Sequence, residues 1–478
     1  MVAWLGLCIL GSAEAASLDL VEVGGLFGSP ASTGPAATYW NPAGMSFEPG
    51  TRFHLELAPT FAEIDVNLAD PVWGGKDRYT YRGVVPFAGV ATDFGVDGLG
   101  VGASLSVPMA RGAEAVEWGG PGRYHLQSAN IQTVYLTGAL SMEVIPKVAL
   151  GASVSLVDSH WSAQLQTETL TSLRDNLESE GQETSYTDAD ILNPDYAALL
   201  DMDALAARTY TAGAGVYLTP DPRLAISASY QHGGTLAHRG DLGVTFDCPP
   251  DEDAVGHFGA GLKGICYAEL SGTGVVTYDI PWRTHFGVRW MPKGDPEKLA
   301  VELMGGLVGW SQFTDYDIET YVDSNSVDLE DAEARKETAA TVSQTRSWAR
   351  DGRDAYFAGI DAKGRVLEDR LLVGGRALYD RSAVPDHAVS MNNYDTDTLM
   401  TSLLVGYRLA RPLELAVTLE NHWMVPRTIR DSAYAVTLDD ANAVEDRYFY
   451  PSGNGTYSGH IRSVAVDLRA RFGARHRE

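Results

Sequence analysis

The segment His460–Phe472, HIRSVAVDLRARF, constrains the fold more than any other part of this chain. Val464, Val466, Leu468, Ala470 and Phe472 fall on one side of an extended strand, with Ser463, Asp467, Arg469 and Arg471 on the other. A soluble sandwich can bury such an apolar side in its core. Lipid can also take it if every backbone group is paired, and that condition closes the sheet into a barrel. Repetition decides between the two. Leu413, Leu415, Val417 and Leu419 alternate with Glu414, Ala416 and Thr418, and Val148, Leu150, Val154 and Leu156 with Gly151, Ser153 and Ser155. In Leu99–Val107 the inward set is Gly100, Gly102, Ser104 and Ser106, small residues that leave room for something inside.

The punctuation between strands agrees. Short turns rich in Pro, Gly and Asp fall at 96–98, 145–147, 219–222, 293–296, 363–364 and 410–412. Between them lie long polar connections near 161–208, 247–265, 315–352, 382–396 and 425–459. Alternating short and long connections characterise a bacterial outer-membrane barrel, and counting hairpins gives about fourteen strands. The expected fold class is therefore all-β, a transmembrane antiparallel barrel. Fifty Gly, 22 Tyr and 10 Trp suit a large, turn-rich β protein. Beyond the N-terminus there is no run of about eighteen apolar residues, which excludes a transmembrane helix but not a barrel. Trp290, Trp310, Trp423, Tyr407 and Tyr230 lie near strand ends, where amphipathic rings suit the membrane interface.

Val2–Leu10 is apolar and Ala13-Glu14-Ala15 follows, so residues 1–15 read as a signal peptide, although no Lys or Arg precedes the apolar run. Leu7 before Cys8 argues against a lipid anchor. Export leaves Cys248 and Cys266, expected to pair and staple the loop between them. The net charge of −27 excludes nucleic acid as a partner. Much of the acid falls in loops such as 168–203, as a solvated surface or, alternatively, for divalent-cation bridging to anionic lipid headgroups.

Ordered landmarks then carry a family resemblance. Tyr39-Trp40-Asn41-Pro42-Ala43-Gly44-Met45 precedes Pro49-Gly50 and the first strand. Ser106-Val107-Pro108, Trp118, Gly122-Arg123-Tyr124, Ser229-Tyr230 and Gly309–Phe313 follow in order, and then Tyr379–Asp386, YDRSAVPD. The set resembles the FadL family of outer-membrane transporters for long-chain fatty acids and other hydrophobic compounds. That resemblance implies an N-terminal hatch at residues 16–50 and a barrel at 51–472; the tail at 473–478 departs from it, since such barrels usually finish on an aromatic. It further implies capture of cargo by extracellular loops, passage into the plugged lumen and lateral release at a kink in the third strand, where Pro108 falls. Asn41, Pro42 and Ala43 would sit in the hatch inside the lumen.

Further ligand-contact candidates come from pattern. Pro194–Leu205 reads as a short amphipathic helix in a loop; the resemblance implies that such a helix helps build an outer capture groove, with Leu199, Leu200, Met202 and Leu205 as its contacts, while loop packing is the alternative. Met304, Val308, Leu372 and Leu378 face inward, and Arg376 could receive a carboxylate or pair with Asp380 or another lumen acid. Catalytic signatures are missing: there is no G-x-S-x-G, H-E-x-x-H, C-x-x-C or Walker loop, and the G-x-G-x-x-G at 259–264 sits between the cysteines rather than at a strand–helix junction. Neither an enzyme, a cofactor nor a metal is expected, and His54, His285 and His422 should line the lumen. The partners implied are fatty acids or hydrocarbons, together with outer-membrane lipid and lipopolysaccharide around a chain expected to act as a monomer. Two other classes compete: a general diffusion porin, which would carry no hatch, and an adhesin or structural barrel working through its acidic loops.

Overall fold

A computed structural model describes residues 23–69, 74–168, 197–246, 269–433 and 453–473. The expected signal segment, Cys248, Cys266 and the glycine run at 259–264 lie outside the described residues. The wall consists of β1 (Thr51–Leu68), β2 (Gly75–Thr92), β3 (Leu99–Ala115), β4 (Ser128–Ile145), β5 (Val148–Glu168) and β6 (Ala197–Asp221). Four interrupted strands follow: β7 (Leu224–Gln231 and Gly234–Phe246), β8 (Glu269–Ile280 and Arg283–Trp290), β9 (Leu299–Val308 and Asp315–Val322) and β10 (Gln344–Ala349 and Ala355–Val366). The wall ends with β11 (Leu371–Asp380), β12 (Thr398–Ala410), β13 (Leu413–Ile429) and β14 (Gly455–Phe472). Each strand pairs antiparallel with its sequence neighbours, and β14 pairs with β1 from Thr51↔Phe472 to Leu68↔Gly455. The result is a closed barrel of fourteen strands.

The barrel is inside-out, as lipid requires. On β14, Val464 and Leu468 are each 41% exposed, whereas Ser463 is 2% and Asp467 0% exposed. Leu415, Val417 and Leu419 likewise face outward while Glu414, Ala416 and Thr418 are buried. The short turns share one end with the start of β1 and the end of β14, the periplasmic end in barrels of this kind. No helix among the described residues is long and apolar enough to cross a membrane.

Four expectations need correction, the first being the turn placed at 363–364: Lys363 and Gly364 lie within β10, and the chain turns at 367–370. Ala197–Leu205 is strand, not helix, so the connection after β5 is shorter than 161–208. A bulge explains the helical spacing. Ala204 has φ +52°, and the β6–β7 register shifts between Asp203 and Ala206, so Met202 and Leu205, three apart, both point inward. The region 315–352 is not a free loop but holds the outer half of β9, a helix α1 (Ala332–Val342) and the first part of β10. Trp310 is no interface anchor: it is 4% exposed. The strands β7 to β10 all break at one level, and the break in β9 turns Trp310 and Phe313 into the lumen. Trp290, Trp423, Tyr407 and Tyr230 do face outward.

Candidate functional site: a plugged lumen and a slit in its wall

Residues 23–50 form the hatch inside the barrel, and nearly all of them are buried. Short turns suit this segment because Gly24 and Gly25 take positive φ (76° and 49°) and Pro42 opens a short 3-10 helix, Pro42–Phe47, capped by Asn41. The small inward residues of the wall are the seat of this hatch. A Cβ on Gly151 (β5) would fall 2.3 Å from Ala43 N, and one on Gly215 (β6) 2.1 Å from Asn41 Oδ1. Gly100 and Gly102 of β3 are filled in the same way by Met45 and Thr38. The room anticipated from the sequence therefore holds the hatch.

Asn41, Pro42 and Ala43 accordingly face the wall rather than open lumen. Asn41 Oδ1 accepts from Ala43 N at 3.1 Å, and its Nδ2 donates to the carbonyls of Val216 (3.0 Å) and Ala228 (3.3 Å). Tyr39 and Trp40 look upward into an apolar layer with Met304, Val308, Leu378 and Met400. Trp40 is pinned, its indole donating to Val23 O at 2.9 Å while its own carbonyl accepts from Ser229 Oγ at 2.6 Å and His285 Nδ1 at 3.0 Å. Arg283 donates to the Tyr39 hydroxyl.

Buried ions clamp the hatch to the wall. Arg376 bonds Asp361 at 3.2 Å, not Asp380, and donates to Gly28 O (2.6 Å) and Gly25 O (3.3 Å), while Lys363 holds Leu26 O. On the adjoining strands β9 and β8, Glu302 takes Arg289 at 2.7 Å and also accepts from Ser29 Oγ and Ala31 N. Hatch groups meet part of what such burial demands, with Ser29, Ala31, Gly25 and Gly28 bonding these ions, while Asp361 Oδ1 and Arg376 Nε have no hydrogen-bond partner among the described residues. At the periplasmic rim Glu48 meets Arg52 at 3.0 Å and Arg471 at 3.4 Å and accepts from Thr33 Oγ1 at 2.9 Å. Burial alone would raise the Glu48 carboxyl, but these cations and the threonine bring it down to about 2. None of these clamps except Arg376 was singled out in the sequence, where charges scattered on separate strands carry no local signal.

Three histidines do line the interior: His54 is 3%, His285 1% and His422 0% exposed. His54 Nε2 lies 2.8 Å from Asp467, and Glu56 joins them beside Gly25 of the hatch. Above the hatch layer a second apolar cluster fills the outer half of the lumen. It includes Ile64, Met202, Leu205, Val276, Val389, Met391 and Ile461, with Leu200 against it. Leu199 points the other way, its side of β6 half-buried. The loop after β11 folds into this cluster, held by Asp395 accepting from Ala383 N and by Arg427, which donates to Val384 O at 2.8 Å.

Besides the breaks in β7 to β10, the wall is interrupted along the seam between β2 and β3. The β2–β3 ladder runs to Thr80↔Glu114 at its outer end and resumes at Phe87↔Ser106, leaving 81–86 and 107–113 without partners across that seam. Continuing the outer register would set Pro86 against Pro108, and neither can donate a ladder hydrogen bond. At Pro108 the β3–β4 register also shifts, Ser106 to Met109, and residues 106–109 are buried in succession instead of alternating. Thr133 Oγ1 of β4 donates to Met109 O at 3.0 Å, satisfying one carbonyl there. Immediately toward the periplasmic end, on the membrane side, Ala88, Gly89 and Ala103 floor an apolar groove of about 440 Å³ rimmed by Phe53, Leu55, Leu105 and Leu136.

A closed barrel with lipid-facing apolar strands and an internal N-terminal plug is the architecture of a plugged outer-membrane transporter. The chain belongs to the outer membrane protein transport protein family (OMPP1/FadL/TodX), whose pattern it matches over residues 23–462. Among solved structures, a Pseudomonas aeruginosa FadL homologue superposes with TM-score 0.72 at 16% identity, covering 97% of this chain and 99% of that one. The Pseudomonas putida toluene transporter TodX gives TM-score 0.60 at 13% identity, with 96% and 98% covered, and the Ralstonia pickettii toluene transporter TbuX 0.59 at 15%, with 97% and 99% covered. No curated protein matches the chain in sequence at a significant level.

Proposed function

We propose that this protein takes up hydrophobic molecules from outside the cell and releases them sideways into the outer membrane through the slit between β2 and β3. The observation that carries the reading is the interrupted ladder at 81–86 and 107–113, in the wall of a barrel whose axial route is blocked by the hatch. Apolar side chains extend from the outer half of the lumen to the hatch layer, which gives cargo a dry path. Leu200, Met202 and Leu205 contact cargo in the outer part of that path, and Met304 and Val308 in the inner part. Pro108 opens the exit by removing a ladder donor. The groove over Ala88 and Ala103 lies where emerging cargo first meets lipid.

Arg376, the expected carboxylate receiver, is already committed to Asp361 and to hatch carbonyls. That favours uncharged hydrophobes over free carboxylates, in keeping with the toluene transporters among the structural relatives. Asn41, Pro42 and Ala43 support the site by fixing the hatch rather than by touching cargo.

The test is uptake of radiolabelled toluene and hexadecane by host cells lacking their own transporters, with and without this protein. Uptake well above the empty-vector rate, together with near-silent conductance in planar bilayers, is the expected result. Equal uptake, or a large steady ion current, would overturn it in favour of a surface or porin role.

A further inference from the structure

Tyr81 occupies the slit in an unusual way. It lies on β2 opposite Ala62 of β1, on the lumen side of the wall, at the outer limit of the unpaired stretch. Gly112, on the unpaired part of β3, pairs with Asn130 of β4. A Cβ placed on Gly112 would fall 2.3 Å from Tyr81 Cε2 and 2.7 Å from Cδ2. The ring therefore spans the gap between the two strands and rests where any other residue on β3 would put a side chain. Tyr81 is 8% exposed, yet its hydroxyl has no hydrogen-bond partner among the described residues. Buried hydroxyls are ordinarily bonded, so this one is held by ring packing rather than by a polar anchor. Tyr81 belongs to the outer apolar cluster, and Met109, across the slit, to the layer on the hatch.

Resting on the lateral-exit reading, we infer that Tyr81 is the shutter of the slit, its ring packed on Gly112 setting the width of the molecule that can leave. A ring turning on two side-chain torsions can swing off a glycine without breaking a hydrogen bond, whereas an anchored phenol could not. Displacement opens only the space the ring fills, so narrow chains pass with a small movement and fused rings need a large one. The free hydroxyl meets a polar atom on passing cargo, if there is one, but the selection is steric.

The experiment measures uptake of a narrow probe, hexadecane, and a wide one, pyrene, by cells carrying the protein, and reads the pyrene-to-hexadecane ratio. Tyr81→Ala should raise that ratio about tenfold, the scale on which a pocket discriminates by size. Tyr81→Phe should leave the ratio near its starting value, because the ring and not the hydroxyl is the shutter. Heat-modifiable migration on gels confirms that each variant is a folded barrel. A cysteine pair across the slit, Val84→Cys with Ala110→Cys in a background with Cys248 and Cys266 changed to Ser, is bridged with a short bis-thiol reagent. If bridging stops uptake and Tyr81→Ala leaves the ratio unchanged, the shutter is overturned while the lateral exit stands. If bridged protein takes up both probes normally, the lateral exit itself falls, and the shutter with it.

Discussion

Replacing Glu48 by Gln tests whether the hatch is locked to the barrel rim by charge. The carboxyl has an ordinary value of 4.5 and stands at about 2 in the folded protein, held down by Arg52, Arg471 and Thr33 against its own burial. A difference of this size, at about 1.4 kcal/mol per unit, amounts to roughly 3 kcal/mol at neutral pH, somewhat less once solvent screening at the rim is included. The folded value is depressed, so this stability is fully present above pH 4.5 and disappears as pH falls from 4.5 toward 2. Guanidinium unfolding in detergent micelles, run on wild type and Glu48→Gln across that window, isolates the term by subtraction from other titrating groups. The variant should be less stable by about 2–3 kcal/mol at pH 7 and nearly equal to wild type close to pH 2. A deficit that stays constant from pH 7 to pH 2 would refute the electrostatic account and leave only lost packing.

Two further substitutions probe the seat and cap of the hatch. Gly151→Val drives side-chain atoms into Ala43 N and Pro42 C, so the hatch must shift; we expect a loss of about 1–3 kcal/mol and measurable single-channel conductance from a barrel that still migrates as folded. Asn41→Ala removes a helix cap and two bonds to wall carbonyls, each contributing about 1 kcal/mol; hydrogen exchange at 41–47 should accelerate while exchange of the wall strands stays unchanged.

Wall strands were legible wherever one face met lipid, because a period of two is imposed directly by the environment on each side. Leu413–Leu419 and His460–Phe472 show this in full, and their apolar faces do point outward. Where a strand departs from that period the sequence misleads. The bulge at Asp203–Ala204 spaced Met202 and Leu205 like a helix, and the break in β9 took Trp310 from the expected interface into the lumen. The slit is half legible: Pro108 stands out in the sequence, but its meaning depends on Pro86, opposite it only when the outer β2–β3 register is continued. Tyr81 was missed for the same reason, since its significance lies in the bare backbone of Gly112 across the seam. Ionic clamps such as Arg289–Glu302 and Arg376–Asp361 join neighbouring wall strands to a hatch hundreds of residues earlier in the chain, and no local pattern reports that distance.

The seam between the first and last strands has a bearing on biogenesis. His54 and Glu56 of β1 and Asp467 and Arg469 of β14 meet around the same few hatch residues, with the Arg469 guanidinium 3.9 Å from the centre of the Phe27 ring and Gly25 against Glu56. The strands that arrive first and last during synthesis are thus the jaws that grip the segment preceding them both. A nascent chain lacking β14 would have one jaw only, its hatch held by the clamps on β8 to β11 but not across the seam. Closing the sheet therefore also completes the grip on its stopper, which ties closure of the barrel to the final seating of the hatch.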